Sequence, residues 1–256
     1  MTAQLRKHEQ FRSRFLRNKR DLIVYLPPGY EEQPSRCFSV LYLHDGQNLF
    51  DGTTSFIPGM DWHVGETADR VISTGAVEPL IIVGIYNLGE HRIHEYTPTR
   101  APRLGGGRAD RYAKFLLEEL KPFVEEHYRT LVGPQRTGLG GSSLGGLVSL
   151  YLGLKLPYVF GKLAALSPSV WWNQRVLHRF AAAAEVHPRP RIWLDIGTRE
   201  GPRIVPDVEQ FRDVLLQKGW QLGKDLHYEQ VEGAEHNEAA WSQRVEPFLR
   251  FLFPAS

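Results

Sequence analysis

The sequence predicts an α/β chain, a central and mainly parallel sheet flanked by helices on both faces. Three observations predict it. The runs "FSVLYLHD" (38–45) and "LIIVGIYN" (80–87) are short and continuously apolar, as strands buried on both faces of a parallel sheet are. Between such runs lie stretches whose apolar residues recur at helical spacing. The two kinds alternate along the chain, and repeated β-then-α order implies right-handed crossovers onto a parallel sheet.

Taken in order, "RKHEQFRSRFLRNKR" interleaves basic and apolar residues and reads as a solvated first strand. "RDLIVYLP" is rich in β-branched and aromatic residues and stops at Pro27-Pro28, a strand running into a turn. The first two strands are expected to lie antiparallel at one edge. The stretch "TPTRAPRLGGGRAD" is the loosest and is expected to form a mobile surface loop. In "DRYAKFLLEELKPFVEEHYRT" the residues Tyr112, Phe115, Leu116, Leu120 and Phe123 fall on one helical face among charges. Further strands are predicted at "RTGLGG", "GKLAALSP", "RIWLDIG" and "LHYEQVEG", with helices starting near Ser143, Asn173, Val205 and Asn237.

A chain of 256 residues without internal repeats, low-complexity tracts or linkers predicts a single domain over residues 1–256. Its core is large enough to need no disulfide or metal staple, and one cysteine, Cys37, cannot form an internal bridge. Lys+Arg 31 against Asp+Glu 29 gives a formal charge of +2, so nucleic acid is not an expected partner. "MTAQLRKHEQ" lacks the apolar core and cleavage site of a secretory signal, and no apolar run approaches the ~18 residues that span a bilayer. The expectation is a soluble, cytoplasmic protein with no membrane partner. Its oligomeric state cannot be read from the sequence.

The chemistry concentrates in "TGLGGSSLGG", Thr137 to Gly146, with five glycines and two adjacent serines in ten residues. A P-loop would need a lysine after Gly146, which is absent, and a dinucleotide fingerprint would need glycine where Ser143 stands. The G-x-S-x-G template fits, running from Gly141 to Gly145 with Ser143 at its centre; Ser142 is excluded because Leu144 lies two residues on. In that template a strand turns sharply into a helix and holds the serine Oγ above the sheet. The flanking positions crowd their neighbours, which accounts for glycine at 141 and 145.

A serine hydroxyl needs a base, and the base needs an acid to hold it. With the nucleophile at such a turn the partners follow it in the order acid, then histidine. Of the four later histidines, His178 lies in a predicted helix, His187 in a Pro-rich connection and His227 in a strand. His236, in "VEGAEHNEAAW", lies between the last strand and the last helix, where a loop can lower its imidazole onto Ser143. Glu200, beyond the C-terminal end of "RIWLDIG", is the first choice of acid, with Asp195 within that strand and Asp207 in the next helix as alternatives. For the oxyanion, the Leu144 amide is one donor, and Gly46 or Gln47 in "HDGQNLF" supplies the other. His91 and His94 are spaced i, i+3 but have no partner cluster. No metal or other cofactor is expected, and Arg92–Glu95 is read as a structural pair.

Together "VYLPPGY", "LYLHDGQNLFD", "EYTP", "GGSSLGG", "LSPSVWW", "GTRE" and "GAEHNEAAW" resemble the putative-esterase family of α/β-hydrolases, from about Arg20 to Phe253. That family includes enterochelin (siderophore) esterases, feruloyl and acetyl xylan esterases, S-formylglutathione hydrolase and mycolyltransferases. The resemblance implies Ser143 as nucleophile, His236 as base and Glu200 as acid. It also implies Trp171 or Trp172 on the substrate pocket. The expected activity is hydrolysis of a small-molecule carboxylic ester through an acyl-enzyme. The rivals are an acyltransferase using the same triad with an alcohol acceptor, and a catalytically silent binding module on the same fold.

Overall fold

The structure, a computed structural model, describes residues 4–255. Eight of its strands form one sheet: β1 (Gln4–Ser13), β2 (Asn18–Leu26), β3 (Ser39–His44), β4 (Leu80–Ile85), β7 (Thr137–Ser142), β8 (Lys162–Leu166), β9 (Arg191–Gly197) and β10 (Leu226–Val231), in the order β1-β2-β4-β3-β7-β8-β9-β10. The pairings β1–β2 and β2–β4 are antiparallel, and every other pairing is parallel. The sheet is therefore parallel except at the edge formed by the N-terminal hairpin, as expected for an α/β-hydrolase fold.

The central strands show why their sequence is apolar without alternation. Along β3, Val40 and Tyr42 enter one core while Leu41 and Leu43 enter the other; along β4, Ile81 and Val83 oppose Leu80 and Ile82 in the same way. Both faces are covered, so both sets of side chains must be apolar. On one face lie α1 (Val64–Ser73) and, at the C-terminus, α9 (Val245–Leu252). The other face carries α5 (Leu144–Lys155), α6 (Trp172–Ala183), α7 (Ile204–Gln217) and the helical stretch 109–127. That stretch is α3 (Ala109–Phe115), a π-helical turn at Leu116–Leu120 and α4 (Lys121–His127). The predicted helix over 110–130 is thus present with an irregular middle, and Tyr112, Phe115, Leu116 and Leu120 are buried. No helix among the described residues is long and apolar enough to cross a membrane.

Two expectations are corrected. The stretch expected as a mobile loop folds into a two-stranded hairpin, β5 (Arg100–Ala101) with β6 (Gly105–Gly106), which follows the short helix α2 (His91–Glu95). Trp172 Nε1 donates to Thr99 O at 2.9 Å, and Gly107 N donates to Thr97 Oγ1 at 2.8 Å, so long-range contacts order a segment whose composition suggests none. The Arg92–Glu95 pair also does not form. Glu95 accepts from buried Arg20 on β2 at 2.8 and 2.9 Å, while Arg92 reaches across to Asp45. One turn of helix separates Arg92 and Glu95, but each meets a better-buried partner from another element.

Gly46 lies in the tight turn after β3, pressed against β4. A Cβ there would stand 2.5 Å from the Gly84 carbonyl carbon and 2.7 Å from the Ile85 nitrogen, both backbone atoms that cannot yield separately. Gly46→Ala is therefore expected to destabilise the fold by ~1–3 kcal/mol. Thermal unfolding should show a Tm several degrees lower. An unchanged Tm would mean that the turn moves off β4 without cost.

Candidate active site

Ser143, Glu200 and His236 lie beyond the carboxyl ends of the parallel strands β7, β9 and β10, where crossovers leave the sheet. Ser143 directly follows β7 at φ 57° and ψ −121°, a conformation side chains rarely adopt. Its N–H still donates to Leu166 O of β8 at 3.0 Å, and its carbonyl accepts from Leu147 N and Ser169 N, both at 3.0 Å. The backbone is thus held on both sides of the bend. A Cβ on Gly141 would meet His44 Cβ at 3.1 Å and Gly145 Cα at 3.2 Å, and one on Gly145 would meet His44 Cβ at 3.2 Å. The turn passes over β3 this closely because both flanking residues lack side chains.

His236 and Glu200 come together through their loops. Thr198 N donates to Val231 O and Arg199 N to Ala234 O, both at 3.1 Å, so the loops after β9 and β10 run side by side. His236 Nδ1 then lies 2.6 Å from Glu200 Oε2, with the carboxylate fully buried and the imidazole partly exposed. Burial works against charge on Glu200. Hydrogen bonds from His236, from Ser167 and from the Gly197 N–H outweigh it and hold the carboxyl below the ordinary glutamate range.

Behind Glu200 stands a polar network that the sequence reading missed. Ser167, at φ 45° just after β8, donates from Oγ to Glu200 Oε1 at 2.5 Å. The same oxygen accepts from Trp241 Nε1 at 3.1 Å and Arg244 Nη1 at 2.8 Å. Arg244 also bonds Asp195 Oδ1 at 2.6 Å, and Trp193 Nε1 bonds Asp195 Oδ2 at 2.7 Å. Burial pushes the Asp195 carboxyl up to about 6, against the pull of Arg244. Asp195 is thus occupied within the core. Asp207 is occupied on α7, 2.5 Å from Arg175. Of the three acids considered, Glu200 is the one that meets His236.

Ser143 and His236 line one cavity of about 340 Å³, shared with Asp45, Asn48, Phe56, Ile57, Asn87, Gly89, Arg92, Ser142, Glu238 and Trp241. Ser143 Oγ lies 3.3 Å from Ser169 Oγ, and no hydrogen bond joins it to His236. Arg92 grips Asp45 through two bonds of 2.8 Å, and Asn87 adds a third at 2.7 Å. Gly46, Gln47 and Leu144 are not among the lining residues, but the Gln47 and Leu144 amides have no acceptor among the described residues.

Trp171 and Trp172 do not line the cavity either. Trp172, 1% exposed, packs in the core with its indole N–H on Thr99, and Trp171 is 38% exposed on the surface. Asn173, Gln174 and Arg175 have φ of 42°, 57° and 60°, so the regular part of α6 begins later than expected. His91 and His94 lie around a separate surface depression, and His94 Nδ1 accepts from Gly106 N at 3.2 Å. Among the described residues no group of three or more His, Cys, Asp or Glu side chains converges as a metal site would require.

The uncharacterized protein YbbA of Bacillus subtilis is 29% identical over 99% of this chain and 97% of its own length. The siderophore enterobactin esterase of Emericella nidulans is 31% identical over 63% of this chain and 58% of its own. The crystal structure of an IroE-like serine hydrolase from Shewanella oneidensis superposes with a TM-score of 0.79 at 22% identity, covering 98% of this chain and 80% of that one. Residues 13–252 match the family model described as "Putative esterase". An α/β-hydrolase sheet carrying a serine at a strained strand-to-helix turn is the setting in which that match is made, and the chain belongs to the putative esterase family of carboxylic ester hydrolases.

Proposed function

We propose that the protein cleaves a small-molecule carboxylic ester through an acyl-enzyme, with Ser143 as nucleophile, His236 as general base and acid, and Glu200 as the carboxylate that orients the imidazole. The observation that carries this reading is the 2.6 Å contact between His236 Nδ1 and buried Glu200, made in a cavity that also exposes Ser143. With Nδ1 donating to Glu200, the other ring nitrogen is left as the acceptor that a base needs.

In the reaction Ser143 Oγ gives up its contact with Ser169 and attacks the ester carbonyl carbon, while its proton passes to His236 Nε2. The Gln47 and Leu144 amides, which have no acceptor among the described residues, hold the oxyanion. Collapse breaks the bond to the alkoxy oxygen, which takes the proton from His236 and leaves as the alcohol. Water then attacks the acyl carbon with His236 again removing the proton, and Ser143 is restored. Glu200 stays ionised throughout, stabilising the imidazolium without taking its proton.

Ser143→Ala and His236→Ala should each lower kcat for a short 4-nitrophenyl ester on the order of 10³-fold or more, with circular dichroism unchanged. Ser142→Ala should be far milder; a dead Ser142→Ala beside an active Ser143→Ala would shift the nucleophile by one residue.

Ser167 is read as a positioning residue that fixes the Glu200 carboxylate. Glu200→Gln should cost well over tenfold in kcat. Ser167→Ala removes one donor to the carboxylate, ~1 kcal/mol, or about fivefold in kcat with little change in KM. Asp207→Asn serves as the comparison. If it lost more activity than Glu200→Gln, the acid would be reassigned.

A further inference from the structure

Glu238 lies two residues beyond His236, at the start of α8 (Glu238–Ser242), and is only 4% exposed although it lines the Ser143 cavity. Asn48 Nδ2 donates to its Oε1 at 3.1 Å, and among the described residues no Lys, Arg or His forms an ion pair with it. Burial and the nearby Asp45 charge push its carboxyl above the ordinary glutamate range. Besides its own backbone N–H, the carboxylate has one neutral donor among the described residues, and such burial is costly because a carboxylate can accept about four hydrogen bonds.

The remaining polar groups of the wall are already engaged. Asp45 is taken by Arg92 and Asn87; Asn87 Oδ1 accepts from Gly89 N at 2.9 Å; Asn48 Oδ1 accepts from Phe56 N at 2.9 Å. The carboxylate with the most spare capacity is Glu238. We infer that Glu238 is a specificity residue, its carboxylate accepting a hydrogen bond from a hydroxyl group carried by the ester substrate. This rests on the hydrolase reading given above.

The same wall distinguishes a hydroxyl from an ammonium group. Arg92 also faces the cavity, and His236 becomes cationic during each half-reaction, so a second cation beside them is opposed. The apolar part of the lining is Phe56, Ile57 and Trp241, and Phe56 is 82% exposed. A cavity of about 340 Å³ is at the small end of ligand sites, which run ~300–1,000 Å³. The substrate class is therefore a small, otherwise apolar ester bearing a hydroxyl.

The test compares kcat/KM for matched esters. One pair is 4-nitrophenyl butyrate and 4-nitrophenyl 3-hydroxybutyrate, with the hydroxyl on the acyl side. The other set is ethyl, 2-hydroxyethyl and 2-(dimethylammonio)ethyl butyrate, with the substituent on the alcohol side. The wild-type enzyme should prefer the hydroxylated member of at least one set by about tenfold or more, since a site built to bond a hydroxyl discriminates against its absence. Glu238→Met, which keeps the length but removes the acceptor, should bring that ratio near one. Glu238→Gln, which leaves the fold least disturbed, should lower it severalfold and carries the test if the methionine variant does not fold.

Equal wild-type turnover in both sets, a ratio that survives in folded Glu238→Met, or a preference for the dimethylammonio ester would each overturn the inference while leaving the hydrolase intact. Absence of turnover of every ester by the wild type would instead remove the hydrolase reading, and this inference with it.

Discussion

The structure depends most on one close approach, the passage of the Ser143 turn over the end of β3. Ser143 occupies a backbone conformation that costs ~1–3 kcal/mol and persists only where its surroundings dictate it. Here they do so on both sides. The Leu166 carbonyl extends the β7–β8 ladder through the Ser143 amide, and α5 departs from the Ser143 carbonyl. His44, fully buried beneath the two glycines, is pushed down to about 3 by burial, so the floor under the turn carries no titrating charge near neutral pH.

A second constraint holds the acid. The Arg244–Asp195 pair is buried, and a buried ion pair brings little net stability because desolvation opposes the attraction. Its observable consequence is geometric. Arg244 bridges Asp195 to Ser167, and Ser167 fixes one oxygen of Glu200, which leaves the other to meet His236. Three strand ends, those of β8, β9 and β10, and the C-terminal helices are tied into that chain of contacts. The position of the imidazole is then set by the whole sheet and not by its own loop alone.

The cavity has a mixed lining. Asp45, Arg92, Asn87, Asn48 and Glu238 are its polar members, and Phe56, Ile57 and Trp241 its apolar ones. Only some of the polar lining is internally balanced. The Asp45–Arg92 pair saturates itself, whereas the Glu238 carboxylate is buried with a single neutral side-chain donor. That asymmetry gives the site a direction for its ligand, with the apolar bulk at the mouth near Phe56 and the polar group inward.

The sequence by itself determined the fold class and the strand-to-helix turn at Ser143, because each is a local property. Continuous apolar runs report burial on both faces, G-x-S-x-G reports a crowded bend, and His236 was the later histidine standing between the last strand and the last helix. What depends on long-range pairing was not legible. Ser167 and Arg244 are 77 residues apart, Asn48 and Glu238 are 190 apart, and no periodicity relates them. The Trp171–Trp172 pair misled for a related reason, since an indole is equally suited to a pocket wall and to a core. The hairpin at 100–106 likewise lacks any local signal and is ordered by Trp172. Only the tertiary structure decided which of Asp195, Glu200 and Asp207 meets the imidazole. All three lie near the end of one strand, and the arginines that occupy two of them, Arg244 and Arg175, come from distant helices.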